Sequence, residues 1–439
     1  MHKKLAIFCD GTWNDLRMTS ETNVALLAKC VASEDDDHVP QIVFYDEGVG
    51  VASDISVLSD ELVKLWGGAF GRGLDRKVET AYRFIVANYE PGDDIYILGF
   101  SRGAYTARSL CGLIRKCGIL KRRFFDQTPQ AMQRYRDGLH PQDPTMVDFR
   151  TRYAYAEAAG TEDHARLKLQ TRHAGQPSAT TSSGLYQYRP KGTYRLMYLG
   201  VWDTVGSLGI PDRFGLLQFL NKQYQFHDTD LSSLVASARH AVALDESRRV
   251  FGSTGMANID DLNREWAAAT GWDVQEAEDA RHVPYPLRPY QQWWFPGDHG
   301  AVGGGNPEPG LSSHTLRWIA EGAERAGLKL RWNCPPDEPV MPLEEAAHLE
   351  NPCADWRINK DGTRPKPNQK DALGEIGGFR PRAGPPTLAD TGDFAITRWF
   401  RDDRYRPSNL SVLMGLTTAP SAATPPAGFP EIFHAFGAD

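Results

Sequence analysis

Ile95-Tyr96-Ile97-Leu98-Gly99-Phe100-Ser101-Arg102-Gly103 joins a short apolar run to a serine flanked by two glycines, and its reading decides the fold. The run follows the turn Pro91-Gly92-Asp93-Asp94, and a helix is expected to begin near Ala104. Strand, G-x-S-x-G turn and helix together make the nucleophile-elbow arrangement. A strained turn lifts the serine hydroxyl away from the sheet. Gly99 and Gly103 let the strand and helix backbones approach with no side chain between them. Ser101 is therefore the candidate nucleophile. The backbone N–H of Arg102, at a helix N-terminus, is the first candidate oxyanion donor. Taken alone, the pattern also reads as an ordinary strand–turn–helix junction, so the rest of the chain must supply a base.

Four more apolar runs of strand length end in polar or Gly-rich turns. Residues 5–9 end at Asp10-Gly11-Thr12, residues 41–45 at Asp46-Glu47-Gly48, and residues 195–201 at Trp202-Asp203-Thr204. Residues 292–295 end at Pro296-Gly297-Asp298-His299. Runs without alternation suit strands buried on both faces of a parallel sheet. Helical spacing falls between them, over 75–89 and 105–114, and residues 236–244 also read as helical. The expectation is an α/β-hydrolase-like fold, with a mostly parallel central sheet and helices on both faces. A long insertion, about 120–193, separates nucleophile from acid. One domain is expected over 1–415, with a Pro/Ala-rich tail over 416–439.

In such sheets functional groups collect beyond the carboxyl ends of the strands. A serine needs a base, and the base needs an orienting acid, in the chain order Ser, Asp/Glu, His. Asp203 and His299 both sit at strand exits in that order, so they are the candidate acid and base. His240 falls in the segment read as helix, where packing or surface exposure is the plainer role. Asp10-Gly11-Thr12 resembles the D-x-D-G-T of phosphatases, but the nucleophilic aspartate of that pattern would fall on Phe8, so that chemistry fails. Gly11 and Thr12 instead offer N–H groups toward Ser101 as further oxyanion donors, with Asp10 in support. A turn closed by the Asp10 side chain is the equal alternative. Residues 67–73 and 303–305 are glycine clusters without nucleotide-loop spacing, read as letting loops crowd around the site.

Of the 439 residues, 41% are hydrophobic and 24% charged, the composition of an ordinary globular chain. Lys plus Arg number 49 against 56 Asp plus Glu, a net charge of -7, which gives no bulk electrostatic reason to bind nucleic acid. Six scattered cysteines form no C-x-x-C pair, so neither a zinc ribbon nor a disulfide framework is expected. The N-terminal apolar run is too short for a signal peptide, and no stretch is long enough to span a bilayer. The expectation is synthesis in the cytoplasm without a leader.

Several motifs together resemble one family. They are residues 8–14 (FCDGTWN), 68–75 (GAFGRGLD), 99–107 (GFSRGAYTA), 200–204 (GVWDT), 238–246 (ARHAVALDE), 294–299 with 302–305, and 405–410 (YRPSNL). In this order they resemble the type VI secretion lipase effectors of family one, and a wider α/β-hydrolase family of bacteria and fungi, over about 4–412. The resemblance implies a phospholipase acting on glycerophospholipid acyl esters, with Ser101 as nucleophile, Asp203 as acid and His299 as base, and no metal or cofactor. It further implies a membrane phospholipid substrate, loading on a secretion spike, an immunity protein, and delivery to a target-cell periplasm. One departure stands out. The family reads H-S-D-V-G-G where this chain has His299-Gly300-Ala301-Val302-Gly303-Gly304, and an aspartate stands instead at Asp298.

Lipid chemistry calls for apolar surface near the serine. Residues 205–226, and a stripe of Ile55, Leu58, Leu62, Leu65 and Trp66, are candidate lids or interfacial helices. Core packing is the alternative for each. A carboxylesterase for soluble esters and a non-catalytic binding protein on the same fold remain the rival functions.

Overall fold

Among the described residues six strands form the central sheet: β1 (Lys4–Cys9), β2 (Gln41–Asp46), β3 (Asp94–Phe100), β4 (Arg195–Trp202), β5 (Ala238–Ala243) and β6 (Tyr290–Phe295). They make one sheet in the order β2-β1-β3-β4-β5-β6, with every pairing parallel. The computed structural model describes residues 2–11, 21–48, 60–157, 194–206, 230–248, 251–270, 288–305, 310–331, 382–386, 390–392, 395–396, 399 and 407–413. For 60–72, 268–270, 310, 408 and 412–413 it describes the backbone alone.

Each central strand is buried on both sides, as its unbroken apolar run requires. From β1, Leu5, Ile7 and Cys9 enter one core, while Ala6 and Phe8 enter the other. The first core is roofed by α2 (Asp60–Asn88), α3 (Arg102–Cys117), α4 (Thr128–Arg136), α5 (Pro144–Tyr153) and α6 (Ile259–Thr270). The second lies under α1 (Asn23–Cys30), the short α7 (His299–Gly303) and α8 (Gly310–Arg325). A last short helix, α9 (Ser408–Leu413), adds Leu410 to a small cluster with Val242, Leu244, Trp294 and Trp399. Crossovers that step toward β6 carry α2, α3 and α6 on one face. The step back from β1 to β2 carries α1 on the other, as a single handedness of crossover demands. The strand order therefore reverses between β1 and β3, the point in such sheets beyond whose carboxyl ends functional groups collect.

Two sequence expectations are corrected here. Residues 236–244 hold a strand, β5, and not a helix. Ala238-Arg239-His240-Ala241-Val242-Ala243 favours helix by local propensity, but it lies between β4 and β6 with all six residues buried. Tertiary pairing outweighs that propensity. His240 is accordingly a buried strand residue. The second correction concerns the glycines at 67–73, which lie inside α2 and not in a loop. Gly73 meets no atom within 4 Å of where a Cβ would stand, so close approach does not explain it.

Described helices within the expected insertion are α4 and α5, preceded by a 3-10 turn at Arg122–Gln127. Thr12, Ile55, Leu58, residues 207–229 and the tail over 416–439 lie outside the described residues, as do the side chains of Leu62, Leu65 and Trp66. Among the described residues no helix is long and apolar enough to cross a membrane.

Candidate active site

Ser101 stands between β3 and α3 with φ 58° and ψ -120°, a backbone conformation that a non-glycine residue adopts only under strain. Its surroundings enforce the turn. The Ser101 N–H donates to the Trp202 carbonyl at 2.9 Å, which ties the turn to the end of β4. A Cβ on Gly99 would stand 2.4 Å from the Gly103 carbonyl oxygen. A Cβ on Gly103 would stand 2.0 Å from the Cys9 carbonyl oxygen. Both glycines are therefore required by backbone contact, and the first turn of α3 rests directly on the end of β1.

Three side chains from three strand ends meet here. His299 opens α7, four residues after β6, and its Nε2 lies 2.7 Å from Ser101 Oγ. Its Nδ1 lies 2.6 Å from Oδ2 of Asp203, the residue that follows β4. All three residues are buried. Asp203 also accepts from the Ala243 N–H at 3.0 Å, at the end of β5. An ionised carboxylate only accepts, so Nδ1 carries the proton and Nε2 accepts from the Ser101 hydroxyl. That is the tautomer in which a histidine can take a proton from a serine.

Burial alone would raise the Asp203 carboxyl. The Arg382 charge beside it, with hydrogen bonds from His299 and Arg382, holds it far below the ordinary carboxylate range. Arg382 is bidentate on this group, with Nη1 2.6 Å from Oδ1 and Nη2 2.9 Å from Oδ2. Nothing in the sequence marked Arg382, which sits in a Pro-rich stretch without periodicity. Phe251 was also missed. It stacks on one face of the His299 ring, while Phe100 of the elbow covers the other. Glu246 completes the setting, since its carboxylate accepts from the His299 N–H at 3.1 Å and pairs with Arg248 at 2.6 Å. Its position three residues beyond a strand would have been a signal had β5 been read as one.

The remaining expected residues fall as follows. Arg102 is the first residue of α3, where helix amides lack an intrahelical acceptor. Asp10 is buried, and its carboxylate accepts from Tyr45 Oη at 2.7 Å, Thr22 Oγ1 at 2.6 Å and the Gly11 N–H at 2.6 Å. The Gly11 N–H is thus turned to Asp10 and not toward Ser101, a correction to its expected oxyanion role. A carboxylate one residue back is simply the nearest strong acceptor. Asp298 lies before α7 and caps it, its Oδ1 accepting from the Ala301 N–H at 3.0 Å. Ala301, where the resemblance expects an aspartate, is buried. Gly303 is a close-approach glycine, because a Cβ there would stand 2.0 Å from the Phe100 ring. Among the described residues no group of three His, Cys, Asp or Glu could hold a metal ion.

Residues 3–322 match the model of the catalytic domain of Tle1-like phospholipase effectors of the type VI secretion system. An uncharacterized protein of Saccharomyces cerevisiae is 27% identical over 257 residues, which are 57% of this chain and 32% of that protein. Among solved structures, an uncharacterized protein from Pseudomonas aeruginosa is 17% identical with a TM-score of 0.36, covering 80% of this chain and 49% of that one. The structure of the Tle1 effector bound to the VgrG spike is 15% identical with a TM-score of 0.32, covering 70% of this chain and 52% of that one. The chain thus spans 32% of its yeast relative and about half of each solved chain.

Proposed function

The chain belongs to the Tle1-like phospholipase effector family of the type VI secretion system, and from that premise we propose that it hydrolyses glycerophospholipid acyl esters through Ser101, His299 and Asp203. The observation that carries this reading is the hydrogen-bonded chain from Ser101 Oγ through both imidazole nitrogens to Asp203, with Ser101 on a strained elbow. Ser101 Oγ attacks the ester carbonyl carbon as His299 Nε2 takes its proton. Asp203 holds the ring in register and stabilises the imidazolium. The Arg102 N–H, at the start of α3, receives the developing oxyanion. The proton on His299 then passes to the departing lysophospholipid oxygen. Water, deprotonated by the same imidazole, releases the fatty acid and restores the serine. The cycle needs no co-reactant besides water.

In the proposed setting the substrate is a membrane phospholipid. The family description as a secretion effector supports delivery by a spike into a target cell, where an immunity protein would guard the producer. The deciding experiment is lipid-product analysis with the wild type and Ser101→Ala on phospholipid vesicles, beside a short soluble ester. Lysophospholipid and fatty acid from the wild type alone are expected. Turnover of the soluble ester with vesicles untouched would instead favour a carboxylesterase. Activity surviving in Ser101→Ala would sink the reading.

A further inference from the structure

We infer that Arg382 is a positioning residue of this reaction, a guanidinium supplied from outside residues 3–322 that keeps Asp203 turned toward His299 and charged. The inference rests on the triad proposed above. Its basis is geometry. Two parallel N–H···O bonds join the guanidinium to both carboxylate oxygens, and the same two nitrogens also donate to the carbonyls of Ala243, at 2.8 Å, and Phe251. Such a fork fixes the plane of a carboxylate in a way a single charge does not. The Arg382 side chain is only 9% exposed and Asp203 is fully buried, so solvent cannot replace it.

The placement of Arg382 is built and not incidental. Gly384, with φ 89°, passes so close to Asn409 that a Cβ would stand 2.9 Å from the Asn409 Cβ. Asn409 in turn donates to the Leu244 carbonyl at 2.8 Å, just beyond β5. Thr391 bridges to Trp294 of β6, and the Gly392 N–H donates to the Trp294 carbonyl at 2.8 Å. Gly384, Thr391, Gly392 and Asn409 therefore tie the described residues around Arg382 to the β5 and β6 ends, and Asn409 of the 405–410 motif acquires a role.

Other charged or titratable groups surround the pair. They are His299 from α7, His240 from β5 with Arg108 of α3 beyond it, Glu246 with Arg248 after β5, and Asp298 before α7. Glu246 pairs with Arg248, and the Asp298 carboxylate accepts from the Ala301 N–H. Among the described residues Arg382 alone donates to both Asp203 oxygens. Removing it leaves burial acting on Asp203 with less opposition and frees the carboxylate plane to turn away from His299.

The test uses the whole chain and an alkyl fluorophosphonate. Ser101 Oγ bonds to phosphorus, fluoride leaves, and the serine proton passes to His299. Labelling rates are followed at neutral pH for the wild type, Arg382→Gln and Arg382→Lys, with thermal melts beside them. Arg382→Gln should label about 100-fold more slowly at neutral pH with little change in melting midpoint. Arg382→Lys should recover roughly a tenth of the wild-type rate, because an ammonium supplies charge without the fork. A wild-type rate in Arg382→Gln would overturn the inference. Should that variant not fold, wild-type labelling by Arg382→Lys would overturn it equally, and a lowered rate would uphold it. A wild type that does not label at Ser101 would strike the triad reading itself, a different outcome.

Discussion

Phe251 lies flat against the imidazole of His299, the ring centroids 4.6 Å apart and the planes 24° from parallel. Arg248 covers the outer face of Phe251 at 4.3 Å, and the same arginine pairs with Glu246, which accepts from the His299 N–H. Backbone and ring of the histidine are thus held by one connected set of side chains. Phe251→Ala should leave the fold intact and lower turnover on the order of 10- to 100-fold, because the ring loses one wall and its angle to Ser101 widens. Phe251→Leu should lose less. Steady-state kinetics beside a thermal melt checks this, and an unchanged kcat in Phe251→Ala would show that Phe100 and Asp203 suffice.

Glycines of this chain are not equivalent, and substitution should separate them. Gly103→Ala drives a methyl into the Cys9 carbonyl, a backbone atom that cannot step aside, and should cost about 3 kcal/mol or more. Gly73→Ala, in α2 with open space around it, should stabilise by about 0.5–1 kcal/mol. Denaturant melts of both variants give the answer. Equal effects in the two would contradict the close approach at the elbow.

The proposed triad makes its own demands. Ser101→Ala and His299→Ala should each abolish hydrolysis without unfolding the chain, since hydroxyl and imidazole act as one unit. Asp203→Asn should lose about four orders of magnitude, because an amide favours the wrong histidine tautomer. Here it also faces Arg382, whose buried charge would lose its counter-ion. That variant should therefore melt earlier than the other two.

Much of this was legible in the sequence, and the reasons are physical. Unbroken apolar runs at 95–98 and 195–201 can only be strands buried on both faces, and each run ends at a residue that the structure brings to the site. That Ser101, Asp203 and His299 come together was readable because polar residues at strand exits of a parallel sheet share one edge. β5 was not legible, because an Ala-rich hexamer carries no period that separates helix from strand. With that strand unread, Glu246 and His240 lost their context. Arg382 could not be found from sequence at all. It reaches Asp203 through tertiary contacts of an irregular segment, and an arginine among prolines carries no local signature. The Gly11 N–H was misassigned because the Asp10 side chain competes for it, a local choice that spacing does not decide.

Asp298 tests whether the altered histidine loop is merely different or weakened. Its carboxylate caps a helix of five residues whose first residue is His299. Asp298→Ala should cost about 1 kcal/mol in stability, the usual worth of an N-cap. It should cost disproportionately in kcat, since so short a helix has little else to hold its first turn. Comparison of kcat and melting midpoint for wild type and variant checks both parts. A stability loss with kcat unchanged would mean that the cap is not needed to orient His299.

Acid should destabilise this protein well before its carboxylates protonate, and the buried histidines are the cause. His240 Nδ1 lies 2.9 Å from Gln292 Oε1, and its Nε2 accepts from the Thr204 N–H at 3.1 Å, so protonation would turn an acceptor into a donor facing a donor. Burial, with the nearby Arg108 charge, lowers His240 from 6.5 to about 3. Burial likewise lowers His314 to about 4, with Arg317 adding to it. Unfolded, both would take a proton near pH 6.5, so the unfolded chain binds more protons below that pH and stability falls as pH falls. The loss begins near 6.5 and runs down to 4 for His314 and 3 for His240. At pH 5 each histidine should have removed about 2 kcal/mol. Asp203 acts lower still, because its depressed carboxyl withdraws stability only below the ordinary carboxylate value. Chemical denaturation at pH 7 and pH 5 should therefore show about 4 kcal/mol less stability at the lower pH. His240→Gln keeps an acceptor for the Thr204 N–H but cannot titrate, so it should roughly halve that difference. Equal stability of the wild type at both pH values would mean that these histidines are not held neutral.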